Sequence, residues 1–364
     1  MYSFTPTEEQ QMLLDAVGRY AENDLRPAAR EADEERSFPP GLIEKGWELG
    51  VLQASIPEEY DGFGEHSAVT GVLAAEKMAY GDLASAMAVM TPNLFTLPIL
   101  FVGSEEQKET YIPPVIEAEW KPYTAALIEQ RFDFDPHELE TTATIEDDHV
   151  ILSGEKSYVP YAADAEAMLV YASLDGETQA FIVPMDQEGV EVGEKQKVLG
   201  VHALPLYPVS LNDVKVPLDA RLGGDEGHDV EPIFASSYIS LAAMAVGVAQ
   251  AAFEYSRDYA KDREVFGVKV AQKQSIAFML AEMATEIESI RLLAWEAAWR
   301  IDEGKPEAFQ HAYLALRGAI DMVMMVTDRA VQILGGHGYI REHPVELWMR
   351  NGRGFATFTG LAMV

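Results

Sequence analysis

Residues 262–299 read DREVFGVKVAQKQSIAFMLAEMATEIESIRLLAWEAAW, and residues 330–353 read AVQILGGHGYIREHPVELWMRNGR. Each stretch combines helical spacing of apolar residues with a short turn that contains glycine. In the first stretch, five residues at helical spacing form one apolar stripe: Ile276, Leu280, Met283, Ile287 and Ile290. In the second, the helical pattern that starts near Phe309 ends at Gly335 and Gly336, a typical helix stop. The C-terminal third of the chain therefore predicts long helices joined by turns.

Periodicity divides the whole chain into three zones. Residues 1–120 are mostly helical in pattern, with a predicted helix start at Thr7, which two acidic residues follow. Residues 121–225 carry short alternating runs, among them TTATIEDDHVILSGEKSYV, with a predicted hairpin turn at Asp147 and Asp148. Helical patterning returns in residues 226–364. The sequence therefore predicts an α+β protein with an N-terminal helical domain, a small all-β domain and a C-terminal helical bundle.

Composition excludes several classes of function. The chain has 364 residues, of which 48% are hydrophobic and 24% charged, as in globular proteins. Sixty acidic residues against 27 basic ones give a net charge of −33, which disfavours nucleic acid and anionic membranes as partners. The acidity fits either adaptation to high salt or a docking surface for a basic partner. Because the charges are scattered along the chain, the first interpretation is favoured.

The chain contains no cysteine, which excludes disulfides, thiolate nucleophiles and cysteine metal sites, and we predict no metal site. No apolar run reaches the roughly 18 uninterrupted residues of a membrane span, so we expect no membrane insertion. The N-terminal MYSFTPTEEQQ has neither the basic nor the apolar segment of a signal peptide. We therefore expect a cytoplasmic protein.

Several spaced motifs carry a resemblance to a known family. They are R-x-x-F-G at residues 263–267, Gln274, Q-I-x-G-G-x-G-Y at residues 332–339, and P-V-E at residues 344–346. With residues 56–82, they make the chain resemble the acyl-CoA dehydrogenase family over nearly its whole length. The resemblance implies a middle β-barrel or β-sandwich domain (residues 121–225) between an N-terminal α-helical domain (residues 1–120) and a C-terminal four-helix bundle (residues 226–364). It also implies a tetrameric oxidoreductase, a flavoprotein that takes an acyl-CoA substrate and passes electrons to an electron-transfer flavoprotein.

The family's FAD is shared between two subunits, and this chain keeps the half of the site that serves a neighbour. The resemblance implies that Arg263 pairs with the pyrophosphate, that Phe266 offers an apolar surface, and that Gln274 and Gln332 donate or accept hydrogen bonds. Glycines at the second motif let the backbone approach the dinucleotide closely: Gly335, Gly336 and Gly338.

The half of the site that holds a chain's own flavin has diverged. The family's T-E-P-G-A-G-S-D loop is IEQRFDFD at residues 128–135, and its W-I-T triplet is YVP at residues 158–160. The family's catalytic Glu is Thr359, and the alternative base position on a helix is Ser237. A hydroxyl without its own base does not accept an α proton near neutral pH, so we predict no catalytic residue in this chain. Three other groups are weaker candidates for a base: Asp133, His337 and Glu342.

Because the losses are confined to one half of the cofactor site, three interpretations remain, of which the first is favoured. The chain is the base-less subunit of a hetero-oligomer, as in the heterotetramers of steroid side-chain catabolism, and a paralogous partner supplies the catalytic Glu. Alternatively, it is a homomeric FAD enzyme with an unusual base or a non-oxidative acyl-CoA reaction. In the third interpretation, the chain is a non-enzymatic relative that has lost FAD and has an acyl-binding or regulatory function.

Overall fold

The computed structural model describes residues 5–364, and its N-terminal part is helical. Helix α1 begins in a capping box: Gln10 N donates to Thr7 Oγ1 at 3.2 Å, and Thr7 N donates to Gln10 Oε1 at 2.9 Å, which confirms the predicted start. A π-helical turn, Ala21–Leu25, follows directly. The helices are α1 (Glu8–Tyr20), α2 (Arg26–Glu35), α3 (Leu42–Trp47), α4 (Ala68–Gly81), α5 (Leu83–Val89), α6 (Asn93–Val102) and α7 (Glu105–Tyr111).

The middle domain is a twisted sheet with its own apolar core. Its strands are β1 (Thr124–Ala126), β2 (Thr142–Glu146), β3 (His149–Pro160), β4 (Ala167–Leu174), β5 (Glu177–Pro184), β6 (Val190–Val192) and β7 (Leu206–Pro217), in the order β1-β4-β2-β3-β7-β6, with β5 paired to β4. Glu146 lies opposite His149 in the antiparallel β2–β3 pair. Asp147 and Asp148 therefore form the turn, and the predicted hairpin is confirmed.

Three long helices and one short helix form the C-terminal bundle. They are α8 (Glu231–Asp262), α9 (Gln274–Asp302), α10 (Ala308–Leu334) and α11 (Val345–Gly354), with the two-stranded hairpin β8 (Glu264–Val265) and β9 (Val268–Lys269) between α8 and α9. The predicted stripe of α9 faces the core: Met283, Ile287 and Ile290 are buried, while Ile276 and Leu280 are partly buried. Helix α10 ends at Gly335, whose φ of 59° suits glycine.

Helix α8 is the central helix of the molecule, since α4 of the N-terminal domain and α10 of the bundle both pack along it. Gly247 allows the close approach of α4, because a Cβ at this position would lie 2.2 Å from the carbonyl oxygen of Glu76. Among the described residues, α8 is long and apolar enough to cross a membrane by itself. However, 94% of its most apolar window is buried inside the protein, as expected of a core helix.

Candidate functional site

The two groups of residues singled out by the sequence lie at opposite ends of helix α8. Ser237 is in the second turn of the helix, and Arg263 is the residue that ends it. They are 26 residues apart, which corresponds to about 39 Å along the axis at 1.5 Å per residue. We call these two places the base end and the motif end of α8.

At the base end, the structure brings the two expected base positions together. Gly360 N donates to Ser237 Oγ at 3.0 Å, which places the neighbouring Thr359 beside the helix. Ser237 is fully buried, and Thr359 is half-buried. Within residues 5–364, no hydrogen bond joins either side chain to a carboxylate that would activate it. This end therefore holds hydroxyl groups without the base that a proton abstraction requires.

Within residues 5–364, no hydrogen bond or ion pair links the other candidate bases to Ser237 or Thr359. His337 is bonded to Tyr259, which follows Ser237 by 22 residues on α8, or about 33 Å along the axis. Asp133 and Glu342 are exposed to solvent. The structure therefore gives no support to any of the three as a replacement base at the base end.

The divergent loop of residues 128–135 is held in place by its own contacts. Ile128 accepts a hydrogen bond from Ser157 N at 2.8 Å through its carbonyl oxygen. The Arg131 guanidinium folds back toward Glu129, at 3.8 Å, and donates to the Glu138 carbonyl. Phe132 projects fully into solvent. The loop has no free glycine-rich backbone with which to approach a flavin ring.

The next divergent segment, residues 158–160, has its first backbone donor engaged. Tyr158 adopts a left-handed φ of 57°, and its N–H donates to Gln196 Oε1 at 2.8 Å. Val159 is buried, and Pro160 has no N–H. A cavity of about 260 Å³ remains beside them, and its walls include Leu206, Phe358 and Leu361. The polar edge of a flavin needs hydrogen-bond donors, and at residues 158–160 the Tyr158 N–H is already engaged and Pro160 has none. The bulky loop and this segment therefore do not offer the close backbone contacts that a flavin ring needs, although Lys197, Arg353 and Thr357 also line the cavity.

A buried ion pair underlies the same loop. Lys156 Nζ donates to Glu129 Oε1 at 2.8 Å, and both side chains are almost fully inaccessible to solvent. Burial lowers the pKa of Lys156 to about 8, although the carboxylate opposes this shift. Burial raises the pKa of Glu129, but Lys156 and the Glu140 and Thr141 groups outweigh burial and hold it below its usual range. The pair anchors the start of the 128–135 loop to strand β3, so we assign it a structural and not a catalytic role.

At the motif end, one hydrogen bond brings the two sequence motifs together. The short 3-10 helical turn Gly335–Tyr339, which we call the glycine turn, contains His337. Tyr259, one turn before Arg263 on α8, bonds this histidine: the Tyr259 hydroxyl and His337 Nδ1 are 2.9 Å apart. The β8–β9 hairpin, which carries Phe266, follows α8 directly. Tyr259 had no place in the sequence prediction, because a helical tyrosine in an apolar pattern gives no sign of its partner.

The predicted cofactor residues at this end are available for a ligand. Arg263, Gln274 and Gln332 are exposed, and their side chains form no hydrogen bond or ion pair within residues 5–364. Phe266 is 93% exposed, with Lys273 Nζ 5.9 Å from the centre of its ring. An exposed guanidinium, free amides and an uncovered aromatic ring fit the phosphates and the base of a dinucleotide.

The three glycines of the second motif differ from one another. A Cβ at Gly335 or Gly336 would meet no atom within 4 Å, so both border open space that a ligand could enter. Gly338 is buried, and a Cβ there would lie 2.4 Å from the Val331 carbonyl oxygen. Gly335 and Gly336 are therefore suited to contact a cofactor, while the structure gives Gly338 a packing role.

Family comparisons agree with this architecture. The chain matches the acyl-CoA dehydrogenase N-terminal domain over residues 7–119, the middle domain over residues 124–214 and the C-terminal domain over residues 231–362. The chain belongs to the acyl-CoA dehydrogenase family. Members of this family bind FAD.

Individual proteins are similar to this chain along nearly its full length. The mitochondrial short-chain specific acyl-CoA dehydrogenase of Sus scrofa is 35% identical over 357 residues, covering 95% of this chain and 85% of that protein. The solved butyryl-CoA dehydrogenase of Megasphaera elsdenii is 32% identical with a TM-score of 0.89, covering 98% of this chain and 96% of that one. A chain in the structure of the electron transferring flavoprotein of Acidaminococcus fermentans has the same identity, TM-score and coverage.

Proposed function

We propose that this chain is the base-less subunit of a hetero-oligomeric acyl-CoA dehydrogenase, an oxidoreductase that introduces an α,β double bond into an acyl-CoA thioester. The observation that carries the proposal is the contrast between the two ends of α8. At the base end, neither expected base position is a carboxylate and the two divergent segments do not fit a flavin ring, whereas the motif end presents free groups that fit a dinucleotide. Ordinary divergence would affect both ends alike.

The distance along α8 supports a shared cofactor. About 39 Å separates Ser237 from Arg263, further than one extended dinucleotide reaches. The motif end of this chain would therefore serve an FAD whose flavin ring lies in another subunit. Arg263, Phe266, Gln274, Gln332, Gly335 and Gly336 hold the adenosine diphosphate half, and Gly338 keeps the turn packed. FAD, when bound, supplies the hydride acceptor for the desaturation.

The partner is a paralogous subunit that keeps the catalytic Glu and the glycine-rich flavin loop. Two copies of each subunit form a cytoplasmic α2β2 heterotetramer with one active site per heterodimer. Electron-transfer flavoprotein takes the electrons from this complex. The lipid or steroid side-chain type of acyl-CoA is the substrate class to test first, because the sequence resembles base-less subunits of that type.

Co-expression of this chain with an adjacent paralogue tests the proposal. We expect a stable complex with one FAD per heterodimer and acyl-CoA-dependent reduction of the flavin. Arg263→Gln in this chain should lower the flavin content of the complex, whereas Arg317→Gln, a control in helix α10 that also lacks an ion pair within residues 5–364, should not. A homotetramer of this chain with a full flavin complement and unaided turnover would contradict the proposal.

A further inference from the structure

A cluster of basic side chains lies in a groove at the junction of the middle domain and the N-terminal helices. Arg36, Lys195 and Lys197 line a cavity of about 280 Å³, together with Gln196, Val198 and His202. Within residues 5–364, none of the three basic side chains forms an ion pair with a carboxylate. In a chain of net charge −33, three unpaired cations in one cavity are an unusual local excess of positive charge.

Backbone geometry holds two of these cations together. Arg36 ends helix α2 in a left-handed conformation, with a φ of 55°, and its carbonyl oxygen accepts a hydrogen bond from Lys195 Nζ at 2.8 Å. Partial burial, with the proximity of Arg36 added to it, lowers the pKa of Lys195. Because both side chains also line the same cavity, an anion bound there would offset the repulsion between their charges. Asp33, a carboxylate of the same region, already pairs with His202 and Arg350.

The groove continues into an aromatic cavity. Arg36 and Lys195 also line a second cavity of about 290 Å³, whose other walls include Glu44, Trp120 and Tyr161. The rings of Trp120 and Tyr161 meet edge to face, with centroids 4.9 Å apart. Trp120 Nε1 is buried and has no hydrogen-bond acceptor among the described residues. A buried donor without an acceptor costs free energy, which a ligand acceptor in this cavity would recover once a small shift of the indole turns Nε1 toward it.

We propose that this groove binds a nucleoside phosphate. The phosphates lie on Arg36, Lys195 and Lys197, and the base enters the aromatic cavity and accepts a hydrogen bond from Trp120 Nε1. The Glu44 carboxylate is placed to accept from a ribose hydroxyl or a base amino group. The groove shares no residue with the motif end of α8, so it is a nucleotide site separate from the FAD contacts proposed there. Lys197 and Val198 also line the cavity of about 260 Å³ beside Tyr158.

Titration calorimetry of the purified full-length chain with ADP, adenosine and inorganic phosphate tests this proposal. We expect ADP to bind more tightly than either fragment. Lys195→Gln and Lys197→Gln should each weaken ADP binding about tenfold, since each removes one charged hydrogen-bond donor. Lys215→Gln, an exposed lysine on strand β7 that also lacks an ion pair within residues 5–364, should leave it unchanged.

Two further variants distinguish binding in the groove from binding elsewhere on the chain. Trp120→Phe keeps an aromatic ring but removes the N–H donor, so it should weaken ADP binding several-fold and leave phosphate binding unchanged. Arg263→Gln should weaken any ADP binding at the motif end and leave binding in the groove unchanged, so the lysine variants are titrated in this background as well. If Arg263→Gln abolished all ADP binding, the motif end would be the only nucleotide site and the groove proposal would be wrong. Equal affinity for phosphate and ADP would also overturn it, because it would show a general anion patch.

Discussion

The hydroxyl of Tyr259 and Nδ1 of His337 are hydrogen-bonded at 2.9 Å, and this contact joins the helix that carries Arg263 to the turn that follows Gln332. Tyr259→Phe should cost about 1 kcal/mol of stability, the net contribution of one hydrogen bond. Because the turn loses its attachment to α8, flavin retention by the heteromeric complex should fall as well. Absorbance of the complex after gel filtration measures this retention.

Tyr255→Phe is the matched control for that variant. The Tyr255 hydroxyl bonds His343 Nδ1 at 2.7 Å, one turn earlier on the same helix and outside the glycine turn. The variant should lose similar stability and keep its flavin. Equal loss of flavin in both variants would show a general loosening of this region and would contradict a specific positioning role for Tyr259.

Restoring the missing carboxylate should not restore an enzyme. Thr359→Glu places a base at the family position, but the YVP segment and the Arg131 loop still lack partners for a flavin ring. We expect the variant, expressed alone, to remain without flavin and without acyl-CoA-dependent dye reduction. A yellow, active Thr359→Glu protein would show that the flavin site of this chain is intact.

The buried pair predicts a pH-dependent stability effect. Lys156→Met leaves the Glu129 carboxylate buried without its cation and should cost about 3–5 kcal/mol near neutral pH. The pKa of Glu129 is lowered in the folded protein, so its stabilising contribution is present above its unfolded pKa and is lost as pH falls through the folded value. The penalty of Lys156→Met should therefore shrink as the solution is acidified, because the unpaired Glu129 takes up a proton.

Denaturant unfolding at several pH values measures this effect, with Lys45→Met as the control. Lys45 pairs with Asp24 at 2.6 Å on the surface, where an ion pair contributes about 0–1 kcal/mol. A penalty for Lys156→Met that does not change between neutral and acidic solution would mean that lost packing, not charge, is responsible.

Two helical glycines should respond in opposite directions to alanine. Gly247→Ala forces a methyl group against the Glu76 carbonyl and should destabilise the protein by about 1–3 kcal/mol. Gly18→Ala, in helix α1 with no atom within 4 Å of the added group, should stabilise it by up to about 1 kcal/mol. Thermal unfolding of both variants checks the prediction, and a stable Gly247→Ala protein would show that α4 and α8 separate easily.

Local pattern was enough to predict the order of helices and strands. Thr7 caps a helix, Asp147 turns a hairpin and Gly335 ends a helix because each of these features depends on neighbouring residues only. The motifs also identified the groups at the end of α8 that stay free. These groups could be predicted because Arg263 and Gln332 occur in motifs with the family's spacing, and residues in such motifs contact a ligand more often than they serve the fold.

Contacts between distant segments could not be predicted. Ser237 meets Gly360 only when the C-terminal bundle folds. Arg36 meets Lys195, and Trp120 meets Tyr161, only after the N-terminal and middle domains pack together. The two roles within the glycine motif were also hidden. Gly336 faces open space, whereas Gly338 faces a carbonyl oxygen. This difference depends on tertiary packing, and no local sequence pattern indicates it.

Under the proposed function, the length of helix α8 has a consequence for how a base-less subunit arises after gene duplication. Ser237 and Arg263 lie at opposite ends of one long helix. Substitutions that abolish proton abstraction at one end therefore leave the structure of the other end unchanged. A duplicated copy can then lose its own catalytic residues gradually. Selection still preserves its motif end, because the other copy needs those residues to hold its FAD. Specialisation of the two copies requires no change of fold.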